Sequence, residues 1–219
     1  MKKRSIIYID GYNLYYGLLK GTAYKWLDLA VFARMLLPGD HEVVAVKYFT
    51  ACTLTYPHDN AAIERQNIYL QALRTLKDVK VISGFFKKNK VLMPAYEDEC
   101  KKCTVPQKGF VRVVRLEEKR SDVNLAVEIM LDAMQEDIDC LGLVTGDADQ
   151  VGTIEAARRR FGKTVSVFNP QKSISGHLKM AASYYKNIPR DLPARCQLPD
   201  VIPYGKHGDR FIRRPDAWK

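Results

Sequence analysis

The residues of this 219-residue chain best suited to chemistry are four aspartates. Asp10 ends the apolar run Ile6-Ile7-Tyr8-Ile9 and precedes Gly11-Tyr12-Asn13. Asp147 and Asp149 lie in Thr145-Gly146-Asp147-Ala148-Asp149, and Asp122 follows Arg120-Ser121. Anions gathered in one crevice repel one another unless a cation neutralises them, and hard cations such as Mg²⁺ or Mn²⁺ take oxygen ligands. A metal held in this way activates water and stabilises the charge that builds on a phosphodiester. Asn13, one helical turn after Asp10, supplies an amide able to orient water or a phosphate oxygen. Taken singly, each aspartate also suits a helix cap. Asp147 with Gln150 has capping-box spacing, and Asp122 beside Ser121 suits the positive end of a helix.

The elements that must position these residues read as alternating strands and helices. The apolar run from Arg4 to Ile9 is a buried strand, followed by helices over 12–20 and 28–37 and a strand over 42–51. Residues 59–77 form a long amphipathic helix, and 79–86 a strand. The polar stretch 87–109 is an insertion or a short hairpin, and 110–116 a further strand. A helix over 121–136, a strand over 140–145, a helix over 150–161 closed by Gly162 and a strand over 164–168 complete the pattern. This order implies an α/β fold, a three-layer αβα sandwich with a mainly parallel sheet. Ligands of such sheets bind beyond the carboxyl ends of the strands, where Asp10, Asp147 and Asp149 fall. Helical phase puts Asp122 on the core-facing stripe with Leu125, Ala126, Ile129 and Ala133, and Glu128 about 120° away as a flanking group. From Pro189 onward an irregular, proline-containing basic tail either packs on the body or stays mobile. The expected organisation is one domain over 1–185 and an extension over 186–219.

Charge is unevenly spread. The net charge is +10, of which residues 87–120 carry +5 and residues 186–219 carry +4. Lys87, Lys88, Lys90, Lys101, Lys102, Lys108, Arg112, Arg115, Lys119 and Arg120 recur along one stretch, a pattern that suits tracking a phosphate backbone as well as it suits a solvated face. Tyr12, Tyr15, Tyr16, Tyr24 and Trp26 cluster near the Asp10 edge, where they either stack unpaired bases or pack the rim. Arg210, Arg213 and Arg214 of the tail either clamp nucleic acid or keep the chain soluble.

Other classes are excluded. The composition is that of a globular protein, 47% hydrophobic and 27% charged. No export signal is read at the amino terminus, and no apolar stretch approaches a membrane span. Five cysteines are too few and odd in number for a disulfide framework, which fits a reduced cytoplasmic compartment. No dinucleotide fingerprint, P-loop or His-Glu-x-x-His occurs. Cys100-x-x-Cys103 supplies two of the four ligands of a tetrahedral zinc site, so Cys52, His58 or a second chain would have to complete it.

Four segments together resemble the NYN domain family, relatives of the PIN-like ribonucleases that include LabA-like bacterial proteins. They are Ile6-Ile7-Tyr8-Ile9-Asp10-Gly11-Tyr12-Asn13, Glu118-Lys119-Arg120-Ser121-Asp122-Val123-Asn124-Leu125-Ala126, Leu143-Val144-Thr145-Gly146-Asp147-Ala148-Asp149 and Gly162-Lys163-Thr164-Val165. The resemblance covers about residues 4–185 and implies a PIN-like α/β fold with metal-dependent hydrolysis of RNA. It implies Asp10, Asp122 and Asp147 as catalytic metal ligands, Asp149 as a further ligand or as a carboxylate supporting them from behind, and Asn13 and Thr145 beside the site. Arg120-Ser121 stands where the family more usually has a glycine-containing pair.

The reading is therefore a ribonuclease using Mg²⁺ or Mn²⁺, with cleavage within the RNA chain expected. Tyr12, Asn13, Thr145, Lys119 and Arg120 are its expected contacts to RNA, which is expected to be single-stranded. The alternatives are a non-catalytic RNA-binding module of the same fold and another metal-dependent phosphoesterase. Pairing of two chains as a homodimer is left open, and no membrane partner is expected.

Overall fold

The computed structural model describes residues 1–52, 59–94, 109–205 and 208–219. The chain runs β1 (Lys3–Asp10), α1 (Gly11–Leu14), a π-helical turn (Tyr15–Leu19), α2 (Leu29–Leu36), β2 (His41–Ala51), α3 (Asn60–Leu73) and β3 (Val79–Pro94). It continues through β4 (Phe110–Lys119), α4 (Ser121–Ala133), β5 (Cys140–Val144), a 3-10 turn (Ala148–Gln150), α5 (Val151–Phe161), β6 (Thr164–Asn169), α6 (Gly176–Ala181) and β7 (Tyr184–Asn187). A separate hairpin, β8 (Val201–Tyr204) and β9 (Arg210–Arg213), follows.

Seven strands make one sheet in the order β4-β3-β2-β1-β5-β6-β7. Every neighbouring pair is parallel except β3 and β4. β1 sits at the centre and is buried on both faces, which is why its sequence is a continuous apolar run instead of an alternating one. Ile7 and Ile9 enter the core shared with α2, α3 and the C-terminal segment. Ile6 and Tyr8 enter the opposite core, shared with α4, α5 and α6. The expected three-layer α/β architecture is thus present.

Helix starts follow the residues available. Asp28 caps α2 by accepting from Ala30 N and Val31 N, both at 2.9 Å, and Leu29, Phe32, Ala33 and Leu36 then fall on one buried face. Helix α3 ends at Leu73, earlier than its apolar period predicts. The Thr75 hydroxyl donates to Ala72 O at 2.7 Å, and Thr75 N and Leu76 N bond three residues back, which unwinds the last turn into β3.

Strand β3 runs eight residues beyond its expected end. Its second half pairs antiparallel with β4 in unbroken register, from Phe85 opposite Lys119 to Pro94 opposite Phe110. The basic stretch therefore supplies the two arms of a long hairpin. Cys100, Cys103 and His58 lie outside the described residues, as do Lys101, Lys102 and Lys108, and Cys52 is an exposed free thiol.

The segment after Pro189 packs on the body, the first of the two alternatives open to it, and adds a short hairpin that its sequence did not suggest. Leu192, Cys196, Leu198, Ile202 and Ile212 join the core on the α2–α3 side. Asp28 N donates to Cys196 O at 2.7 Å, and the Trp26 indole N–H donates to Pro199 O at 2.9 Å. Arg214 is spent on structure, since its guanidinium donates to Ala23 O at 2.8 Å and pairs with Asp200 at 3.4 Å. No described helix is long and apolar enough to cross a membrane.

Candidate active site

From β1 the sheet grows one way through β2 and β3 and the other way through β5, β6 and β7. The crossovers on the two sides leave a crevice beyond the carboxyl ends of β1 and β5, the place where open α/β sheets bind ligands. Asp10 is the last residue of β1 and the N-cap of α1. Its Oδ1 accepts from Asn13 N at 2.9 Å, and its Oδ2 accepts from Asn13 Nδ2 at 2.6 Å and from the Thr145 hydroxyl at 3.3 Å. The capping and crevice readings of Asp10 are both realised. Gly11 allows the tight turn that follows, because a Cβ there would lie 2.6 Å from Phe49 O.

An amide network fastens the ends of three strands. Asn13 Oδ1 accepts from Gly146 N at 3.1 Å and from Gln171 Nε2 at 3.2 Å. Gln171 N donates to Asn169 Oδ1 at 2.9 Å, and Asn169 Nδ2 donates to Ser173 O at 2.7 Å and to Asn187 Oδ1 at 3.2 Å. Asn13 is thus a joint between β1, β5 and the loop after β6. Sequence reasoning missed Asn169 and Gln171, although they follow the strand expected to end at residue 168 and so fall on the same edge as Asp147.

Asp147 caps the 3-10 turn by accepting from Asp149 N at 3.0 Å, while its own N–H donates to the Thr145 hydroxyl at 3.1 Å. No box forms with Gln150, whose side chain is buried with Oε1 unpaired among the described residues. Asp149 is exposed beside it. Asp122 is exposed in the first turn of α4 and is no cap. The stripe of Leu125, Ile129 and Ala133 is buried as expected, but Asp122 at its amino-terminal end is exposed and does not face the core. The helix is entered through Arg120, whose φ of +79° is the left-handed conformation that suits the glycine more usual there. Its guanidinium lies 5.0 Å from the centre of the Phe85 ring. Lys119 is exposed and is paired to Glu117 at 2.9 Å.

Glu118 is a fifth carboxylate, which sequence reasoning did not single out. Strand alternation turns Glu117 outward to Arg115 and Lys119, and Glu118 towards Asp10 and Asp122. The Ser121 hydroxyl donates to Glu118. Gly84 passes so close to this junction that a Cβ would lie 2.5 Å from Lys119 O.

These acids act on one another. Burial raises the Asp10 carboxyl above the usual carboxylate range despite the hydrogen bonds from Asn13 and Thr145, and the Asp147 charge adds to the rise. Burial also raises Asp122, helped by Asp10, Asp147 and Asp149. Glu118 is raised by burial and by Asp10 and Asp122, against the Ser121 bond. No ion pair between described residues engages any of the five. As placed, no three carboxylates among the described residues stand close enough to grip a single ion.

Glu128 does not flank this crevice. It accepts from Lys47 Nζ at 2.6 Å and Lys80 Nζ at 3.2 Å. Lys47 also donates to Asp132 Oδ2 at 2.5 Å, which accepts the buried Tyr8 hydroxyl at 2.6 Å. Of the aromatic group, Tyr12, Tyr15, Tyr16 and Tyr24 are exposed, whereas Trp26 is fully buried and cannot stack a base. Tyr12 contacts Tyr16 at 5.1 Å and Phe86 at 5.8 Å between ring centres.

Comparison with known proteins places this geometry in a family. Over 98% of its length the chain is 32% identical to 6-hydroxy-3-succinoylpyridine 3-monooxygenase HspA of Pseudomonas putida, covering 75% of that protein. A crystal structure of a protein of unknown function from Vibrio parahaemolyticus has the same fold, with a TM-score of 0.56 at 20% identity, covering 87% of this chain and 95% of that one. Residues 4–189, which hold every strand of the sheet and all five crevice acids, match the NYN domain. With its sheet order and strand-end acids on that domain, the chain belongs to the NYN domain family.

Proposed function

We propose that this protein is a metal-dependent ribonuclease whose site is the crevice of Asp10, Asp122, Asp147 and Asp149, with Glu118 beside them. The supporting observation is the gathering of five carboxylates at the sheet's switch point with no described ion-pair partner, three of them pushed to higher pKa by burial and by one another. Leaving such a group uncompensated is costly, and an all-oxygen donor set suits Mg²⁺ or Mn²⁺. A divalent ion held there would supply an activated water and neutralise charge on the phosphodiester. Asp122 and Asp149, both exposed at the starts of helical turns, are the side chains free to swing inward. Asp10 is fixed by Asn13 and Thr145, so it sets the position that the others meet. Lys119 and Arg120, at the end of the basic hairpin, precede Asp122 by three and two residues and suit the RNA backbone.

The test is a Mn²⁺ and Mg²⁺ titration in which turnover of a single-stranded RNA is followed beside the melting curve. Turnover that rises with the ion and vanishes in chelator is expected. The ion should also stabilise the fold, by about 2.7 kcal/mol at a hundred times its dissociation constant. RNA that binds equally well in chelator and yields no product at any ion concentration would leave a non-catalytic RNA-binding module.

The similarity to a pyridine monooxygenase over nearly the whole chain favours a second reading, an enzyme that hydroxylates a small heteroaromatic acid. Dioxygen uptake with a reduced nicotinamide and 6-hydroxy-3-succinoylpyridine tests it. Absence of substrate-dependent uptake removes it.

A further inference from the structure

A second cavity opens beside the carboxylates. It measures about 310 Å³, at the small end of the range of ligand sites and enough for a single ring system with a substituent. Two groups of aromatic rings line it. Tyr12, Tyr15 and Tyr16 come from α1 and the π-helical turn, and the Tyr16 ring centre lies 5.1 Å from those of both Tyr12 and Tyr15. Tyr48 of β2, Tyr69 of α3 and Trp218 of the C-terminal segment form the other group, at 6.5 Å and 6.0 Å. π-Helical turns recur at functional sites, and here the wide turn closes with Lys20 N donating to Tyr15 O at 2.7 Å.

The wall also carries charge of one sign. Lys25 and Arg65 both line the cavity, and among the described residues no acidic side chain does. Lys25 has no ion-pair partner among the described residues, and Arg65 meets Asp59 only at 3.8 Å. The Arg65 charge acts on the Tyr15 phenol.

The cavity and the crevice adjoin. Gly11, next to Asp10, lies on the cavity wall with the Tyr48 phenol packed against it. Burial pushes the Tyr48 phenol up to about 12, with the Asp10 and Glu118 charges adding to the rise. Tyr12 is likewise pushed up to about 12, by burial and by charges that include Glu118.

We infer that this cavity binds one flat aromatic ring carrying an anionic group, with the ring seated among the tyrosines and Trp218 and the anion held by Lys25 and Arg65. A nucleotide of an RNA strand and a free heteroaromatic carboxylate share that chemistry. Adjacency to the carboxylates favours the nucleotide, since a base seated here keeps a neighbouring phosphate at the crevice. Only that choice of source rests on the ribonuclease reading.

Calorimetric titration of the full chain in chelator tests the inference without turnover, so that it stands or falls apart from the nuclease reading. The probes are uridine monophosphate, nicotinate, uncharged uridine and cyclohexanecarboxylate. Uridine monophosphate or nicotinate is expected to bind, with uridine and cyclohexanecarboxylate each weaker. A charged hydrogen bond is worth about 1.5 kcal/mol or more, so Arg65→Gln and Lys25→Gln should each weaken binding at least about tenfold. Tighter binding of the monophosphate assigns the site to nucleic acid, and tighter binding of nicotinate to a small-molecule acid. The inference is overturned if neither ring anion binds at millimolar concentration, if uridine or cyclohexanecarboxylate matches them, or if both charge variants bind as the parent does.

Discussion

Helix α4 carries acids into two different surroundings. Its first turn brings Asp122 to Asp10, Glu118, Asp147 and Asp149, where the charges acting on it are other carboxylates. Further along, Glu128 and Asp132 meet Lys47, with Lys80 and the Tyr8 hydroxyl completing the group. Burial would raise Glu128, but the bonds and charges of Lys47 and Lys80 outweigh it and hold the carboxyl below its usual range. Where the chain supplies the partners, the acids fix the seat of the helix on the sheet. Where it does not, the acids have only one another, and in the proposed ribonuclease a divalent cation would take the partner's place.

The sharpest way to break that contrast is at the crevice. Asp10→Asn and Asp147→Asn should each lower ion-dependent RNA cleavage about a thousandfold, because metal-assisted charge stabilisation is worth several kcal/mol. The melting temperature should match or exceed the parent's, since each change relieves repulsion. Cleavage that persists in both variants removes the catalytic assignment, and collapse of the fold would put Asp10 with the structural acids. At the other cluster the effect should fall on stability alone. Lys47→Ala leaves the buried Asp132 without a cation and should cost about 3 kcal/mol or more in urea unfolding. A neutral effect there would erase the distinction.

Acidity separates the clusters by sign. In chelator, the raised folded-state values of Asp10, Glu118 and Asp122 mean that the fold takes up protons before the unfolded chain does. Their contribution to stability therefore rises as pH falls from neutral through those values. Glu128 is lowered, so its contribution is full above the ordinary glutamate range and is lost as pH falls through the depressed value. Melting against pH should show Asp10→Asn losing part of the gain and Glu128→Gln losing part of the decline. Equal slopes in both variants would contradict the assigned shifts.

The smallest effect is expected at Arg120. A left-handed non-glycine residue costs roughly 1 kcal/mol, which Arg120→Gly relieves while giving up the Phe85 contact. Stability should stay within about 1 kcal/mol of the parent, whereas RNA affinity should fall more at low salt than at high salt. A salt-independent affinity would make Arg120 a merely local residue.

The sheet and three of its strand-end acids were legible because a doubly buried strand leaves an apolar run that stops abruptly at Asp10, and Leu143-Val144 does the same before Asp147. Helical phase groups Asp122 with Leu125 and Ile129, but phase does not tell which turns of that stripe the sheet covers, and Asp122 is exposed. Glu118 was hidden because Glu117 and Glu118 look alike until pairing with β3 fixes which of them faces Asp10. The Lys47 cluster joins residues on β1, β2 and α4 that no local period relates. Sequence left the C-terminal segment open between packing and mobility because its few apolar residues follow no helical or strand repeat, yet Ile202, Ile212 and Trp218 each find the core or its rim.

The fastening of Asp10 has one more consequence. Asn13, Gln171, Asn169 and Asn187 link the strand ends through amides, which neither gain nor lose protons over the range in which the aspartates do. The frame can therefore keep its shape while the net charge it encloses changes by several units. A scaffold held by ion pairs at the same spot would loosen with every change in acidity or ionic strength, whereas this one lets the anions respond to solution while the strand ends under Asp10 and Asp147 keep their spacing.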